Sequence, residues 1–402
     1  MFRITLSRPE SGGRVPSMMF DFPEETEALN RSVEAYFEQV LPEPEIRAMD
    51  RERRIPRAIW SDFAERGWMG LMVPEAYGGS DAGTLMATVL VEAIARRFPS
   101  VAVDWVLVAM TARLFCEVGT EAQKSEYLTR LARGEFLMAF GMTEPDGGTD
   151  VLQLNTRARA HEGGWRVRGQ KLYTSLADDA DAILVLARTE EPVEGKRARG
   201  LSLILTPRAQ DSVQVRRLEL MGMRAAGTCE VFFDDAGAPA DALVGERGRG
   251  WYHLLVSLDI ERVLSAALSL GIAVGALAEG VRYANERQAF GRSIGAYQAV
   301  QHPLAETATE VEQARLLIAK AASLIDAGRP AAMEAAMAKL AATEAAVRAT
   351  DRVLRVFGGA GLVEASPIER LARDARLGPF SPISNEMTKS FIGERLGLAR
   401  SY

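Results

Sequence analysis

Residues 137–150 read LMAFGMTEPDGGTD, an apolar run with the composition of a β-strand followed by a polar turn that contains two glycines. The apolar run stops at 143–145 (TEP), and the turn follows at 146–150 (DGGTD). Glycine permits a tight turn that leaves backbone N–H groups exposed, here next to the hydroxyls of Thr143 and Thr149. Such a turn can hold a polar ring edge or a phosphate, although an ordinary loop at a strand end has the same composition.

The apolar periodicity changes at this stretch and again near residue 250. Before it, apolar residues recur at three- and four-residue spacing, which predicts helices. Between residues 136 and 244 the period is two, with short runs separated by glycine turns, which predicts a small antiparallel β-barrel or sandwich. After Gly250, long helical segments alternate with short breaks, which predicts an antiparallel bundle.

The predicted fold class is therefore α+β with several domains. At 402 residues the chain exceeds the length at which a single core keeps growing, so two or three domains are expected. We predict an N-terminal α-helical domain over residues 1–136, of which 1–19 form a flexible tail. A central antiparallel β-barrel over 137–243 and a C-terminal four-helix-bundle domain over 244–402 follow.

Composition and charge exclude several classes of protein. A net charge of −6 at pH 7 argues against nucleic acid as a partner, because phosphate binding needs a basic face. Apart from alanine-rich helices, no uncharged apolar run reaches the ~18 residues of a membrane span, so no membrane span is predicted. The N-terminus also lacks the apolar core of a signal peptide. Cys116 and Cys229 lie far apart and the three histidines are scattered, so we expect a reducing, cytoplasmic location and no metal site.

Four further motifs are spread over the chain. They are residues 67–79 (GWMGLMVPEAYGG), 171–175 (KLYTS), 286–291 (ERQAFG) with glutamines at 298 and 301, and 357–361 (FGGAG). Tyr173 offers a stacking face with a polar tip, although a strand-end aromatic can simply be core packing. Arg287 offers a planar fork suited to a pyrophosphate, although an arginine at a helix end is usually a solvated cation. With residues 142–150, these motifs resemble those of the acyl-CoA dehydrogenase family over about residues 20–400.

The resemblance implies FAD as the cofactor, bound between the subunits of a homo-oligomer, a tetramer or a dimer. In this family the TEP turn holds the flavin, an aromatic at the Tyr173 position packs on the ring, and the RxxFG and GG segments serve a neighbouring chain's cofactor. Arg355 stands where the family usually has Gln. The cofactor-binding residues that the resemblance implies are Phe140, Met142, Thr143, Gly148, Thr149, Tyr173, Ser175, Arg287, Phe290, Gln298, Arg355, Gly358, Gly359, Ser384 and Glu386.

The resemblance also implies an oxidoreductase of lipid metabolism that acts on CH–CH groups. Its substrate would be an acyl thioester of coenzyme A or of a carrier protein, its product the enoyl thioester, and its electron acceptor an electron-transfer flavoprotein. A carboxylate must take the α-proton, and most members carry a Glu for this in the last loop. That position here is Pro382, which has neither a carboxylate nor an N–H for the thioester oxygen. Ile383 would supply the N–H if the loop shifts by one residue.

Glu261 is the candidate for the missing base. Residues 258–262 (LDIER) resemble the helix of isovaleryl-CoA-type dehydrogenases, in which the base has moved to this helix. One helical stripe consists of Leu254, Leu258, Glu261, Ser265 and Leu268. A carboxylate on such an apolar stripe is unfavourable unless it is used or paired, and an ion pair or partial exposure is the alternative role. The implied substrate-binding residues are Thr149, Arg262, Pro382 and Ile383.

Three alternatives keep the fold and change the function. A redox-neutral acyl-CoA desulfinase-like enzyme also lacks the loop Glu and would release sulfite. A flavin monooxygenase-like enzyme would depend on a flavin reductase. A non-catalytic flavoprotein that binds a partner is the third, and the acidic charge disfavours its DNA-associated form.

Overall fold

A computed structural model of the chain describes residues 24–192 and 195–400, so the predicted tail at 1–19 lies outside the described residues. The N-terminal part is helical, as predicted. Its helices are α1 (Glu24–Gln39), α2 (Glu43–Glu52), α3 (Ala58–Glu65), α4 (Gly83–Arg97), α5 (Pro99–Val118), α6 (Glu121–Gln123) and α7 (Thr129–Ala132), with one π-helical turn at Lys124–Leu128. Edge-to-face contacts among Tyr36, Phe63 and Trp68, with ring centroids 5.0–5.6 Å apart, hold α1 and α3 together.

The middle part of the chain is a mixed sheet, and the prediction of a closed antiparallel barrel was wrong. Its strands are β1 (Met138–Gly141), β2 (Arg157–His161), β3 (Gly164–Thr174), β4 (Ala182–Arg188), β5 (Leu201–Pro207), β6 (Val213–Arg217), β7 (Cys229–Pro239) and β8 (Leu243–Val244). They are ordered β6-β7-β3-β2-β4-β5-β8, and β1 pairs with β4. β1 runs parallel to β4, as does β2 at the single pair Arg157 and Arg188.

The parallel pairing has a physical cause in β4. All seven residues of β4 (AILVLAR) are buried, so this strand has no solvent face and reads as a continuous apolar run. Parallel neighbours need a crossover connection, and here the chain between β1 and β4 supplies it by forming β2 and β3. A period of two in the other strands could not reveal this crossover.

The C-terminal part is again helical and consists of three long helices and two short ones. They are α8 (Gly250–Glu286), α9 (Gln298–Asp326), α10 (Ala332–Phe357), α11 (Pro367–Asp374) and α12 (Asn385–Arg395), with a small hairpin of β9 (Gln288–Ala289) and β10 (Arg292–Ser293) between α8 and α9. α8 approaches α4 so closely that a Cβ at Gly271 would lie 2.4 Å from the Glu92 carbonyl oxygen. By length and composition α8 could cross a membrane, but 72% of its apolar window is buried inside the protein, as in a core helix.

Charged side chains of α11 join the three parts of the chain. Arg370 is buried and donates to both carboxylate oxygens of Glu43 in α2, at 2.7 and 2.9 Å. Arg373 donates to Asp50 of α2 at 2.7 Å. Asp374 accepts from the Met223 N–H of the β-domain at 2.5 Å, and its burial raises the pKa of this carboxyl to about 6. These contacts fix the middle sheet against both helical parts.

Asp326, at the end of α9, supplies the first turn of α4 with acceptors. Its two carboxylate oxygens accept from the N–H groups of Thr84 at 2.6 Å and Leu85 at 2.9 Å. Because these N–H groups have no partner within the helix, we expect Asp326→Ala to lower stability by about 1–2 kcal/mol. For a chain of this size that is on the order of 1–2 °C in the thermal unfolding midpoint, measured by calorimetry.

Asp211 provides the matched control for this prediction. It lies exposed in a turn and makes no side-chain hydrogen bond within the described residues. Asp211→Ala should leave the midpoint unchanged to within about 0.5 kcal/mol. Equal effects of the two substitutions would contradict the capping role of Asp326.

Candidate active site

The first group of predicted site residues lies along one rim of the β-domain, which we call the β rim (residues 140–149 and 172–175). The Leu172 N–H donates to the Thr143 carbonyl oxygen at 2.8 Å, which places the two segments side by side. Phe140, Met142 and Thr143 are half-buried, whereas Gly148 and Thr149 are exposed. The Ser175 hydroxyl lies 2.9 Å from the Thr228 hydroxyl. The structure therefore brings together seven residues that the sequence predicted at one site.

Tyr173 stands out at this rim because of its backbone and its exposure. It has φ +56° where β3 leaves its register with β7, and its side chain is 62% exposed. A left-handed conformation costs a non-glycine residue roughly 1–3 kcal/mol, and strained residues of this kind are enriched at functional sites. The strained backbone turns the ring out of the β3 alternation, so the phenol is available to stack on a planar ligand.

A buried ion pair holds the β rim in place, and the sequence analysis missed its role. Lys171 is completely buried and donates to a Glu144 carboxylate oxygen at 2.8 Å and to the Met142 carbonyl oxygen at 3.0 Å. Glu144 also accepts from the N–H groups of Asn155 at 2.5 Å and Thr156 at 3.0 Å. Burial lowers the pKa of Lys171 to about 8, while the Glu144 carboxylate opposes this shift.

The sequence did contain a signal for this pair. Lys171 continues the inward alternation of Trp165 and Val167 in β3, where a lysine requires a buried acceptor. Glu144 stands in the turn that follows β1, and β1 lies close to β3. Residues 142–144 are therefore fixed by charge rather than by packing alone.

Glu261 lies on α8 and is half-buried. Within the described part of the chain its carboxylate makes no hydrogen bond and no ion pair, because the neighbouring Arg262 instead pairs with Asp259 at 3.0 Å. Burial raises the pKa of Glu261 to about 7, and the charge of Arg262 only partly opposes this. The ion pair considered as an alternative role for Glu261 is thus not formed among these residues.

The loop before α12 lies next to α8. The Arg262 guanidinium lies 5.2 Å from the centroid of the Phe391 ring of α12, and a Cβ at Gly378 would lie 2.9 Å from the Ser269 hydroxyl of α8. Within this loop, Pro382 follows a cis peptide bond. Ser384 caps α12 by accepting from the Met387 N–H at 3.2 Å, and Glu386 is exposed in the first turn.

Two backbone N–H groups at the end of this loop have no hydrogen-bond partner in the part of the chain that the structure describes. They are the N–H groups of Ile383 and Ser384, which make no hydrogen bond among the described residues. The loop is joined to the β rim through Asp374, which holds Met223, and through Ala226, whose carbonyl oxygen accepts from the Leu176 N–H at 3.1 Å. α8, this loop and the β rim therefore offer one unpaired carboxylate, two N–H groups without a protein acceptor and an exposed aromatic ring among the described residues.

A second group of predicted residues lies far away, at the other end of α8. Roughly 39 Å of helix separates Glu261 from Arg287. A stacked pair, Tyr283 and Phe357 with centroids 4.0 Å apart, joins the ends of α8 and α10 here. The exposed residues of this distal group are Arg287, Phe290, Gln298, Arg355, Gly358 and Gly359.

Two features of the distal group favour an interaction with another molecule. Phe290 has φ +51° and is 96% exposed, which is unusual for a large apolar side chain. The Arg287 guanidinium has no carboxylate partner in the described residues, whereas Arg355 pairs with Asp351 at 3.0 Å. Arg287 is therefore the freer cation of the two.

Comparisons with known proteins agree over most of the chain. The family models described as the N-terminal, middle and C-terminal domains of acyl-CoA dehydrogenase match residues 23–135, 139–236 and 248–397. Acyl-CoA dehydrogenase fadE12 of Mycobacterium bovis is 37% identical over 347 residues, which cover 86% of this chain and 89% of that protein.

Two solved structures have the same fold. Butyryl-CoA dehydrogenase from Megasphaera elsdenii superposes with a TM-score of 0.89 at 30% identity, covering 95% of this chain and 100% of that one. A chain in a structure of the electron transferring flavoprotein of Acidaminococcus fermentans gives a TM-score of 0.90 at 30% identity, covering 94% and 99%.

The buried pair at the β rim leads to a stability prediction. Lys171→Met leaves the Glu144 carboxylate buried without its cation, so we expect a loss of about 3–5 kcal/mol. This corresponds to roughly 4–6 °C in the thermal unfolding midpoint for a chain of this length. The double variant Glu144→Gln/Lys171→Met removes both charges and should recover part of the loss.

Lys320→Met is the control for this prediction. Lys320 forms an exposed ion pair with Glu334 at 3.3 Å, and such pairs contribute about 0–1 kcal/mol. If Lys171→Met and Lys320→Met change the midpoint equally, the Lys171 pair does not have the structural role assigned to it.

Proposed function

The chain belongs to the acyl-CoA dehydrogenase family, and on this premise we propose that it oxidises an acyl thioester to the α,β-enoyl thioester with FAD as its cofactor and Glu261 as its base. Members of this family and its structural neighbours are FAD-binding flavoproteins. The observation that carries the proposal is the Glu261 carboxylate, which is half-buried, has a raised pKa and has no partner within the described residues. An unpaired carboxylate is unfavourable in such a place unless a ligand or a proton makes use of it.

The residues at the β rim fit a flavin. The exposed Tyr173 ring offers a stacking face, and the exposed backbone of residues 148–149 lies in a glycine turn open to hydrogen bonding. The proposed contacts to this part of FAD come from Phe140, Met142, Thr143, Gly148, Thr149, Tyr173, Ser175, Ser384 and Glu386. Ser384 accepts the Met387 N–H and keeps its own O–H free to donate.

The chemistry follows from the groups of this chain. Glu261 takes the α-proton of the thioester, and the electron pair of the broken C–H bond forms the α,β double bond as hydride leaves the β-carbon. FAD, when bound, accepts that hydride. A carboxylate with a pKa of about 7 is well matched to this step, since it is ionised above neutral pH and still accepts a proton readily.

The thioester oxygen needs a donor that Pro382 lacks. The Ile383 N–H is one residue away and has no acceptor in the described structure, so we assign it this role. Arg262 is oriented by Asp259 and Phe391, and Thr149 is exposed at the β rim, so both stay among the proposed substrate contacts with Pro382 and Ile383.

The working unit that we propose is a homo-oligomer, a dimer or a tetramer. Arg287, Phe290, Gln298, Arg355, Gly358 and Gly359 lie roughly 39 Å along α8 from Glu261, too far to serve the same cofactor within one chain. In a symmetric assembly the distal group of one chain can approach the β rim of another. The exposed Phe290 and the free Arg287 guanidinium would then contact a neighbour's FAD.

Further parts of the proposal concern partners and organisation. Electrons pass to an electron-transfer flavoprotein, and the structural similarity to a chain in a flavoprotein structure of this kind supports that acceptor.

Domains at 1–136, 137–243 and 244–402 are supported by the limits of the three family models. α12 packs on α10 and would complete a four-helix bundle with α8, α9 and α10. Two free cysteines support a cytoplasmic location.

A second function is favoured by one observation, the proline at the loop position where most members have Glu. A redox-neutral desulfinase-like reaction would also work without that carboxylate. Sulfite release from a sulfinated acyl-CoA, with no reduction of an added acceptor, would favour this alternative over dehydrogenation.

Glu261→Gln tests the base directly. The amide has the same size but cannot take a proton, so flavin bleaching by an acyl-CoA panel should slow about 10²–10⁴-fold while FAD content stays unchanged. In the unchanged protein the rate should rise with pH through about 7, because only the ionised carboxylate is active above its raised pKa. Stopped-flow absorbance across pH 5.5–8.5 measures both effects.

Glu279→Gln on the same helix is the control. Glu279 pairs with Arg282 at 2.7 Å and lies away from the site, so its loss should leave the bleaching rate unchanged. Full activity in Glu261→Gln would refute the base assignment and leave the cofactor assignment intact.

Arg287→Ala tests the distal group. Loss of a charge-assisted hydrogen bond to a phosphate should weaken FAD binding about 10–100-fold, measured by titration of the apoprotein. Arg292→Ala is the control, because Arg292 stacks on Tyr297 in the same hairpin at 4.1 Å and should not affect FAD. Unchanged FAD affinity in Arg287→Ala would exclude its phosphate contact.

Mixed oligomers test whether two chains share each site. Co-expressed Glu261→Gln and Arg287→Ala chains should form one intact site in each mixed dimer, since one chain still supplies Glu261 and the other Arg287. At limiting FAD the mixture should therefore be more active than either variant alone. Activity that equals the average of the two variants would argue that each chain binds FAD by itself.

A further inference from the structure

Lys339 is a buried lysine in the C-terminal part of the chain, and none of the roles described so far involves it. It lies on α10 with no solvent exposure, among the buried alanines 335, 336, 338 and 342. An ammonium group in such surroundings is strongly unfavourable unless oxygen atoms replace its water. The oxygen atoms that accept hydrogen bonds from Lys339 therefore show which segment of the chain it restrains.

The two acceptors of Lys339 lie at the end of the loop at the proposed active site and on the first residue of α12. Its Nζ donates to the Ile383 carbonyl oxygen at 2.6 Å and to the Asn385 side-chain oxygen at 2.7 Å. The Asn385 amide nitrogen in turn donates to Glu344 of α10 at 3.1 Å. Because an ammonium only donates and a carboxylate only accepts, these partners fix the orientation of the Asn385 amide.

The contact to Ile383 also fixes a peptide plane. In a trans peptide the C=O and the following N–H point in opposite directions. The Ile383 carbonyl oxygen points into the bundle towards Lys339, so the Ser384 N–H points away from α10. This N–H and that of Ile383 are the two donors of the loop without an acceptor in the described structure.

We infer that Lys339 is a positioning residue for the thioester: through the Ile383 carbonyl and the Asn385 amide it holds the loop so that the free N–H groups at 383–384 face the thioester oxygen, in place of the N–H that Pro382 lacks. This inference rests on the proposed acyl thioester activity. Lys339 touches neither substrate nor cofactor and acts only through the loop.

Stability alone does not explain the lysine. Replacement of a buried charge and its partners by apolar residues of similar size is often neutral or stabilising, whereas the charged arrangement fixes one conformation. The loop between α11 and α12 makes backbone hydrogen bonds up to the Ser381 N–H, which donates to the Leu377 carbonyl oxygen at 3.1 Å, and again at the Asn385 N–H, which donates to the Pro379 carbonyl oxygen at 2.8 Å, but none from the N–H groups of Ile383 and Ser384. Lys339 adds a side-chain hydrogen bond to the Ile383 carbonyl oxygen in this stretch, and at Asn385 it acts together with the Thr343 hydroxyl of α10, which donates to the same side-chain oxygen at 3.1 Å.

The charges around Lys339 give the loop a pH dependence. Burial lowers the pKa of Lys339 to about 8, Glu386 of α12 and Glu344 of α10 raise it, and Arg262 of α8 lowers it further. Below pH 8 the ammonium holds both oxygens with charge-assisted hydrogen bonds, and above pH 8 this hold weakens. The rate in the unchanged protein should therefore fall as the pH rises through about 8.

The test compares Lys339→Met and Lys339→Arg in the FAD-loaded protein with an acyl-CoA that bleaches the flavin. Lys339→Met should lower kcat about 10²-fold, the effect of losing one oxyanion donor, with KM changed less than about 3-fold and FAD content unchanged. Lys339→Arg keeps the charge at all accessible pH values, so it should retain more activity and lose the decline above pH 8.

Lys389→Met is the matched control, because Lys389 pairs with the same Glu344 at 3.5 Å from an exposed position on α12. It should leave kcat and its pH profile unchanged.

Near-normal kcat in Lys339→Met, or a decline above pH 8 that persists in Lys339→Arg, would overturn the inference. A further outcome is that Lys339→Met loses FAD or fails to fold while Lys339→Arg keeps the pH profile of the unchanged protein. That combination would overturn the inference as well, because the lysine would then contribute only to folding stability. If none of the acyl thioesters tested bleaches the flavin of the unchanged protein, the proposed function itself fails. That outcome is distinct from all of those above.

Discussion

An ammonium group that is cut off from water must be surrounded by oxygen atoms, and this requirement shapes both sides of the proposed site. On the β rim, Lys171 donates hydrogen bonds to the Glu144 carboxylate and the Met142 carbonyl oxygen. At the start of α12, Lys339 donates to the Ile383 carbonyl oxygen and the Asn385 side-chain oxygen. Each lysine therefore converts an irregular segment, which packing alone would leave adjustable, into one defined conformation. The regular helices and strands supply the apolar walls in which such bonds are strong.

Glu261 is the contrasting case, because this half-buried acid has no partner among the described residues. Glu144 is held by one ammonium and two N–H groups, and its pKa lies below the usual value despite its burial. Glu261 has only the neighbouring Arg262, whose charge is taken by Asp259, and its pKa rises to about 7. Two carboxylates of the same chemistry thus have different properties, since one is paired for structure and the other is left able to exchange a proton near neutral pH.

The helical and β-rich parts could be predicted from apolar periodicity, and the motifs at 142–150, 171–175 and 286–291 located the proposed site residues. The mixed sheet could not be predicted, because β4 pairs in parallel with a strand more than forty residues earlier in the chain, and period-two alternation carries no information about strand direction. Lys171 had a usable signal as a lysine at an inward position of β3. Lys339 was harder to identify, since its meaning depends on which loop folds against α10, and that contact joins residues more than forty positions apart.

The length of α8 decides how these parts can act together. A single helix of 37 residues carries Glu261 near its start and the distal group at its end, and its burial against α4 and α10 prevents the two from approaching each other by bending. A ligand that uses both ends must therefore lie across two copies of the chain. In the oligomer proposed above, assembly would be a condition for cofactor binding, because the proposed FAD contacts of the β rim and of Arg287 come from different subunits. The exposed Phe290 follows the same logic, since a large apolar side chain on a strained turn is unfavourable in water and gains stability only when another surface covers it.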